Sequence, residues 1–178
     1  MPPAFVQLPP DVYDSVLKHL LRRRSKYEEA AFIFADARRD NGSVIFEYRE
    51  LMMIAPQGFA VRSEFYLELR DETRQQVIKR AHDLGMSIVE FHSHPVSRQA
   101  EFSYSDRSGL KEFVPHLLWR LKGRPYGAVV VTPRDFDGLA WVAPESLELL
   151  GIRVGTHEFT PTGLSLQTWE DENDVRPL

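Results

Sequence analysis

The stretch Met86-Ser87-Ile88-Val89-Glu90-Phe91-His92-Ser93-His94-Pro95 reads as an apolar β-strand stopped by its proline. Alternate side chains of a strand leave the same face, so Glu90, His92 and His94 project together. Two neutral imidazoles two residues apart can share one cation, and zinc suits them. Pro95 places the pair at a sheet edge beside a loop, where sites tend to be built. Alone, a His-x-His pair fits two hydrogen-bonded structural histidines equally well.

Working outward, residues 71–84 before this strand carry Val77, Ile78, Ala81 and Leu84 on one helical face, with Gly85 in the stop position. After it, a polar loop over 95–105 leads into a helix over 103–121, in which Pro115 implies a kink or a break. Near the start, Val12, Val16 and Leu20 predict a helix with Asp11 as N-cap, ending in Arg22-Arg23-Arg24. A buried strand over 28–36 and a second over 43–55 flank the turn Asn41-Gly42, and Pro56-Gln57-Gly58 opens a loop. Strands over 126–132 and 137–142 form a pair, and a last strand lies near 152–159. Trp119 joins Leu117, Leu118 and Leu121 in a core stripe.

Helices and strands mix without strict alternation, so the expected class is α+β (mixed α/β): a central, mostly antiparallel, curved sheet flanked by helices. One domain over residues 1–166 is expected, with an acidic, mobile tail over 167–178.

Composition narrows the chemistry. The 178 residues include no cysteine, which excludes disulfides, thiol catalysis and Cys-based zinc sites. A net charge of -4 and a pI of about 5.9 give no bulk attraction for nucleic acid or anionic membrane, so neither is an expected partner. The first residues lack a cationic segment and a long apolar run, and no stretch approaches the roughly 18 apolar residues of a membrane span. A cytoplasmic protein is the expectation.

Any metal must then be held by His, Asp, Glu or water, and the sequel to the histidine pair supplies a third donor. Ser103-Tyr104-Ser105-Asp106 sits at the expected start of a helix. Asp106 is a hard oxygen ligand, and two histidines with one carboxylate leave a fourth zinc position open, as in catalytic sites. Ser103-x-x-Asp106 is also the spacing of a capping box, which would satisfy the helix start by itself. The two roles are compatible, because a capped helix start fixes the direction of the carboxylate.

His92-Ser93-His94-Pro95 followed by Ser103-x-x-Asp106 resembles the metalloprotease motif of the JAMM (MPN-plus, JAB-type) family, and Glu28-Glu29-Ala30-Ala31-Phe32-Ile33-Phe34-Ala35 resembles its upstream glutamate strand. The resemblance implies the JAB/MPN (cytidine-deaminase-like) fold, Zn²⁺ on His92, His94 and Asp106, Glu28 as general acid/base, and Ser103 steadying the oxyanion. It also implies a deubiquitinase-like peptidase or isopeptidase that cuts after the C-terminal glycine of a ubiquitin-like protein. Stand-alone prokaryotic members of this kind work beside E1/E2-like proteins in bacterial ubiquitin-like conjugation and antiviral systems. A catalytically inactive MPN-type scaffold is the alternative. The chain departs from the pattern in a His94-to-Ser103 spacing one residue longer than usual, and in Ala31 and Ala35 where glycines are common. Glu90, on the face of both histidines, stays a rival to Glu28 as base. Phe59, Val61 and Phe102, from the flanking loops, are candidate substrate contacts or plain core anchors.

Overall fold

The run Ala30–Asp40 buries Ala31, Ile33 and Ala35 on one face and Ala30, Phe32 and Phe34 on the other, so the sheet that holds it must be covered on both sides. The structure is a computed structural model that describes residues 3–143 and 146–174. Along the chain its elements are β1 (Ala4–Leu8), α1 (Pro10–Leu20), β2 (Ala30–Asp40), β3 (Ser43–Met53), β4 (Phe59–Arg62), β5 (Leu67–Leu69), α2 (Asp71–Leu84), β6 (Ser87–Ser93), α3 (Tyr104–Arg120), β7 (Tyr126–Val131), β8 (Phe136–Ala143), β9 (Ser146–Val154), β10 (His157–Phe159) and α4 (Leu164–Asp174).

The strands run in the order β1-β3-β2-β6-β7-β8-β9, and β1 pairs with β9 as well as β3. That second pairing closes a seven-stranded barrel, to which β10 adds at β9; β4 and β5 form a separate hairpin sheet. The expected α+β architecture, a central, mostly antiparallel, curved sheet of JAB/MPN type flanked by helices, is therefore corrected to a closed barrel. The cause is β1. Lying parallel to both β3 and β9, it joins what would have been two free edges, and a closed barrel has none. With β6 and β7 also parallel, the ring has three parallel pairings among its seven.

Small and branched side chains, with Phe46, Phe91 and Phe136 among them, fill the inner face. Ala4, Val6, Ile33, Val89, Val129, Ala140 and Leu150 share one cluster, onto which α1 packs through Val16 and Leu20. Room is tight here: a side chain at Gly138 would meet the Leu150 carbonyl oxygen at 2.3 Å. The outer face of β2, β6, β7 and β8 carries Phe32, Ile88, Val130 and Trp141, covered by α2, α3 and α4.

Several local expectations also shift. Helix α1 starts on Pro10 with no side-chain cap, and Asp11 sits in its first turn, where its charge suits the helix N-terminus. Helix α3 runs through Pro115 as one element, and Trp119 is 74% exposed instead of lying in a core stripe. No helix among the described residues is long and apolar enough to cross a membrane.

The acidic segment expected as a mobile tail forms α4 as far as Asp174; residues 175–178 lie outside the described residues. Trp169 explains its docking, since it packs edge-on against Trp141 with ring centroids 5.8 Å apart. Glu172 adds ion pairs to Arg107 at 2.6 Å and Lys111 at 2.8 Å, which hold its carboxyl down at about 2. A depressed carboxyl pKa gives stability that is full above the unfolded value and lost as pH falls through the folded one. Between pH about 4.5 and about 2 the anchoring of α4 should therefore weaken. Tryptophan fluorescence should follow this change in the wild type, and the component should be missing from Glu172→Gln.

Candidate functional site

Register brings the acid and the histidines together. β2 and β6 are antiparallel, with Ala30 opposite His92, so two residues back along β2 the main chain places Glu28 opposite His94 on the same face. The junction is held through Ser93, whose N–H donates to the Glu29 carbonyl at 3.1 Å and whose Oγ accepts from the Glu29 N–H at 3.0 Å. His94 is tied to β7 by donation of its N–H to the Val131 carbonyl at 2.8 Å. Glu29 points the other way and pairs with Arg62 at 2.5 Å.

Asp106 arrives from the start of α3. Its N–H donates to Ser103 Oγ at 3.2 Å, and its Oδ2 accepts from the Ser103 N–H at 2.8 Å, so the capping box forms and fixes the carboxylate. Ser103→Ala removes an N-cap and should cost about 0.5–2 kcal/mol, whereas Ser103→Thr should restore most of it; urea denaturation would measure both.

Three donor atoms converge. His92 Nε2 lies 3.2 Å from His94 Nε2, and Asp106 Oδ2 lies 3.4 Å from the first and 3.1 Å from the second. A tetrahedral zinc with bonds of about 2.0–2.1 Å has donor-to-donor edges of about 3.3–3.4 Å, so the set has the right size. This buried group, His92, His94 and Asp106, could hold a metal ion. Glu28, only 2% exposed, places Oε1 3.6 Å from His94 Nε2 on the rim of the same cluster.

The charges of the cluster act strongly on one another. Burial pushes Asp106 upward, but the charge on His92 and hydrogen bonds from both imidazoles outweigh it and pull the carboxyl far below the usual range. Burial by itself would lower His92, yet the Asp106 carboxylate lifts it to about 9. His94 is lowered, chiefly by burial. Burial raises Glu28 to about 7, with the His92 charge acting against it. Glu90 is raised by burial too, partly offset by the hydroxyl of Tyr126, which donates to its Oε2 at 2.5 Å.

Two openings meet the cluster. A groove of about 430 Å³ is lined by Glu28, His94, Ser103 and Phe65, and a cavity of about 570 Å³ is lined by His92, Asp106 and Glu90. The structure thus brings Glu28, His92, His94, Ser103 and Asp106 together, while Glu90 lines the cavity with His92 and Asp106 and holds its carboxyl against the Tyr126 hydroxyl. Of the candidate substrate contacts, Phe59 and Phe102 are buried, Phe102 against the His92 ring at 5.5 Å, and only Val61 is exposed. Phe102 lines the groove beside Glu28, His94 and Ser103, while Phe59 starts β4.

Sequence reasoning passed over Phe65 and Tyr66, exposed aromatics between β4 and β5 that line the groove and the cavity respectively. Two adjacent aromatics in a short, otherwise polar connection were the available signal. The chain matches no protein-family model and no curated protein.

Proposed function

We propose that this chain is a zinc-dependent peptidase of JAMM-like chemistry, cutting the amide or isopeptide bond that follows the C-terminal glycine of a ubiquitin-like protein. The observation that carries the reading is the convergence of two imidazole nitrogens and one carboxylate oxygen at 3.1–3.4 Å, with a second, buried carboxylate beside them. Because the barrel is not the fold that goes with the family, the site and its motif support the proposal, and the fold does not. The substrate class comes from the motif resemblance alone. E1/E2-like proteins of a bacterial conjugation or defence system are the partners that go with it.

His92, His94 and Asp106 would hold the zinc, leaving one tetrahedral position for water or substrate. Bound there, the ion would lower the pKa of its water to about 7 and polarise the scissile carbonyl. Glu28 does the proton work. A carboxyl lifted to about 7 can take a proton at Oε1 near neutral pH and return it to the leaving amine. Ser103, on the wall of the same groove as Glu28, has a hydroxyl proton to offer an oxyanion as the carbonyl is attacked.

The test is cleavage of a ubiquitin-like protein carrying a C-terminal, amide-linked reporter. Zinc-loaded protein should release the reporter, chelation should abolish release, and added zinc should restore it. Turnover indifferent to chelation and re-addition would refute the reading.

A further inference from the structure

The cavity behind the metal cluster lies between α2, α3, β5 and the outer face of β2, β6 and β7. Its volume of about 570 Å³ is in the range of small-molecule sites. Apolar side chains such as Phe32, Val77, Ile88, Leu110 and Leu117 wall it, and two metal ligands, His92 and Asp106, open onto it. Glu90 and Tyr126 also line it. Register explains their pairing: Glu90 stands opposite Ala128 on β7, which puts Tyr126 diagonally across. The Tyr126 hydroxyl satisfies Oε2 of Glu90, while Oε1 accepts no hydrogen bond among the described residues.

Charge decides what that oxygen is suited to meet. Leaving aside the paired His92 and Asp106, the lining holds three carboxylates, Glu68, Glu90 and Glu112, against one guanidinium, Arg74, and one imidazole, His116. Arg74 lies over the ring of Phe113, 5.2 Å from its centroid, and acts on Glu90 by charge but makes no ion pair with it among the described residues. A carboxyl oxygen that accepts no hydrogen bond among the described residues, set in a mostly apolar cavity, suits an incoming cation that also donates hydrogen bonds.

We propose that this cavity is a specificity pocket for a basic substrate side chain, arginine or lysine, lying near the scissile bond. Its methylene stem packs on the apolar walls, and its charged head reaches Glu90 Oε1. The stem-and-head division is how such side chains divide between apolar and polar surroundings. The inference rests on the proposed peptidase reading for its place beside a reacting amide; its binding chemistry stands apart from turnover.

The experiment therefore reads binding first. N-acetyl-arginine amide, N-acetyl-lysine amide and N-acetyl-norleucine amide are titrated by calorimetry into zinc-loaded wild type and Glu90→Gln. Glu90→Gln keeps the shape of the side chain and an oxygen for Tyr126. The basic probes should bind at least tenfold tighter than norleucine amide in the wild type, and that preference should vanish in Glu90→Gln. Equal or weaker binding of the basic probes, or a preference unchanged in Glu90→Gln, overturns the pocket. Reporter substrates with Arg, Lys or norleucine at each of the four positions before the scissile bond then separate the two readings. A preference in kcat/KM for a basic residue supports the pocket. Cleavage indifferent to all substitutions overturns it and leaves the peptidase standing. Absence of all cleavage, with the binding preference intact, overturns the peptidase and leaves the pocket.

Discussion

Glu28→Gln should lower kcat by about a hundred- to ten-thousand-fold while the protein still binds zinc, because it removes a proton carrier and no ligand. The same change should stabilise the metal-free protein at alkaline pH. The carboxyl of Glu28 is lifted by burial from 4.5 to about 7 in the folded chain, so the folded state favours its neutral form. A carboxyl raised in this way costs stability as pH climbs through that interval, and the cost is in full force above it. Glutamine cannot ionise and escapes the cost. Metal-free Glu28→Gln should accordingly melt higher than metal-free wild type at pH 8, with the gap closing towards pH 4.5. Loss of turnover together with a gain in melting temperature is the mark of a functional group kept at the expense of the fold. Full turnover in Glu28→Gln, set against collapse in Glu90→Gln, would hand the proton role to Glu90.

Asp106→Ala should have the largest effect on the metal. Loss of one of three protein ligands should weaken zinc binding more than about a hundredfold, since even outer-shell partners of ligands are worth 10–100-fold. Stability should fall too. His92 relies on Asp106 for its raised pKa of about 9, and removal of one partner of a buried pair leaves the other uncompensated. Such losses run to about 3–5 kcal/mol in dry interiors; with the Asp106 side chain 19% exposed, the lower end applies. That exceeds the cost of Ser103→Ala, which removes only the cap. If the two substitutions proved equal in urea, Asp106 would be acting as a helix cap and the imidazoles would not depend on it. Zinc titration and urea denaturation of both variants decide this.

Local signals made the site legible. The His-x-His-Pro strand, the helix start at Ser103 and the stop at Gly85 each rest on a few neighbouring residues, and α2 spans Asp71–Leu84 with Gly85 left-handed at φ 67 as its stop signal requires. The barrel was not legible, because its closure depends on Ala4–Leu8. Five residues between proline pairs carry too little periodicity to be read as a strand. Both partners of β1 are parallel and distant in sequence, so no turn announces either pairing.

Helix α4 was hidden for a related reason. Its composition is that of a tail, and what fixes it lies elsewhere in the chain, in Trp141, Arg107 and Lys111. Trp119 failed in the opposite sense, since apolar character alone does not say which side of a helix meets the core. The cavity beside Glu90 needed α2, α3 and the β4–β5 hairpin to be set against the sheet, and only the folded chain does that.

The central claim is a metal held by His92, His94 and Asp106, and zinc binding by the purified protein tests it most directly. Metal analysis after zinc loading and dialysis should give one zinc per chain in the wild type. Free zinc at a hundred times its dissociation constant should add about 2.7 kcal/mol to the stability of the folded chain. His92→Ala, His94→Ala and Asp106→Ala should each abolish both effects. A wild type that retains no stoichiometric zinc, or one whose zinc survives all three substitutions, would contradict the account.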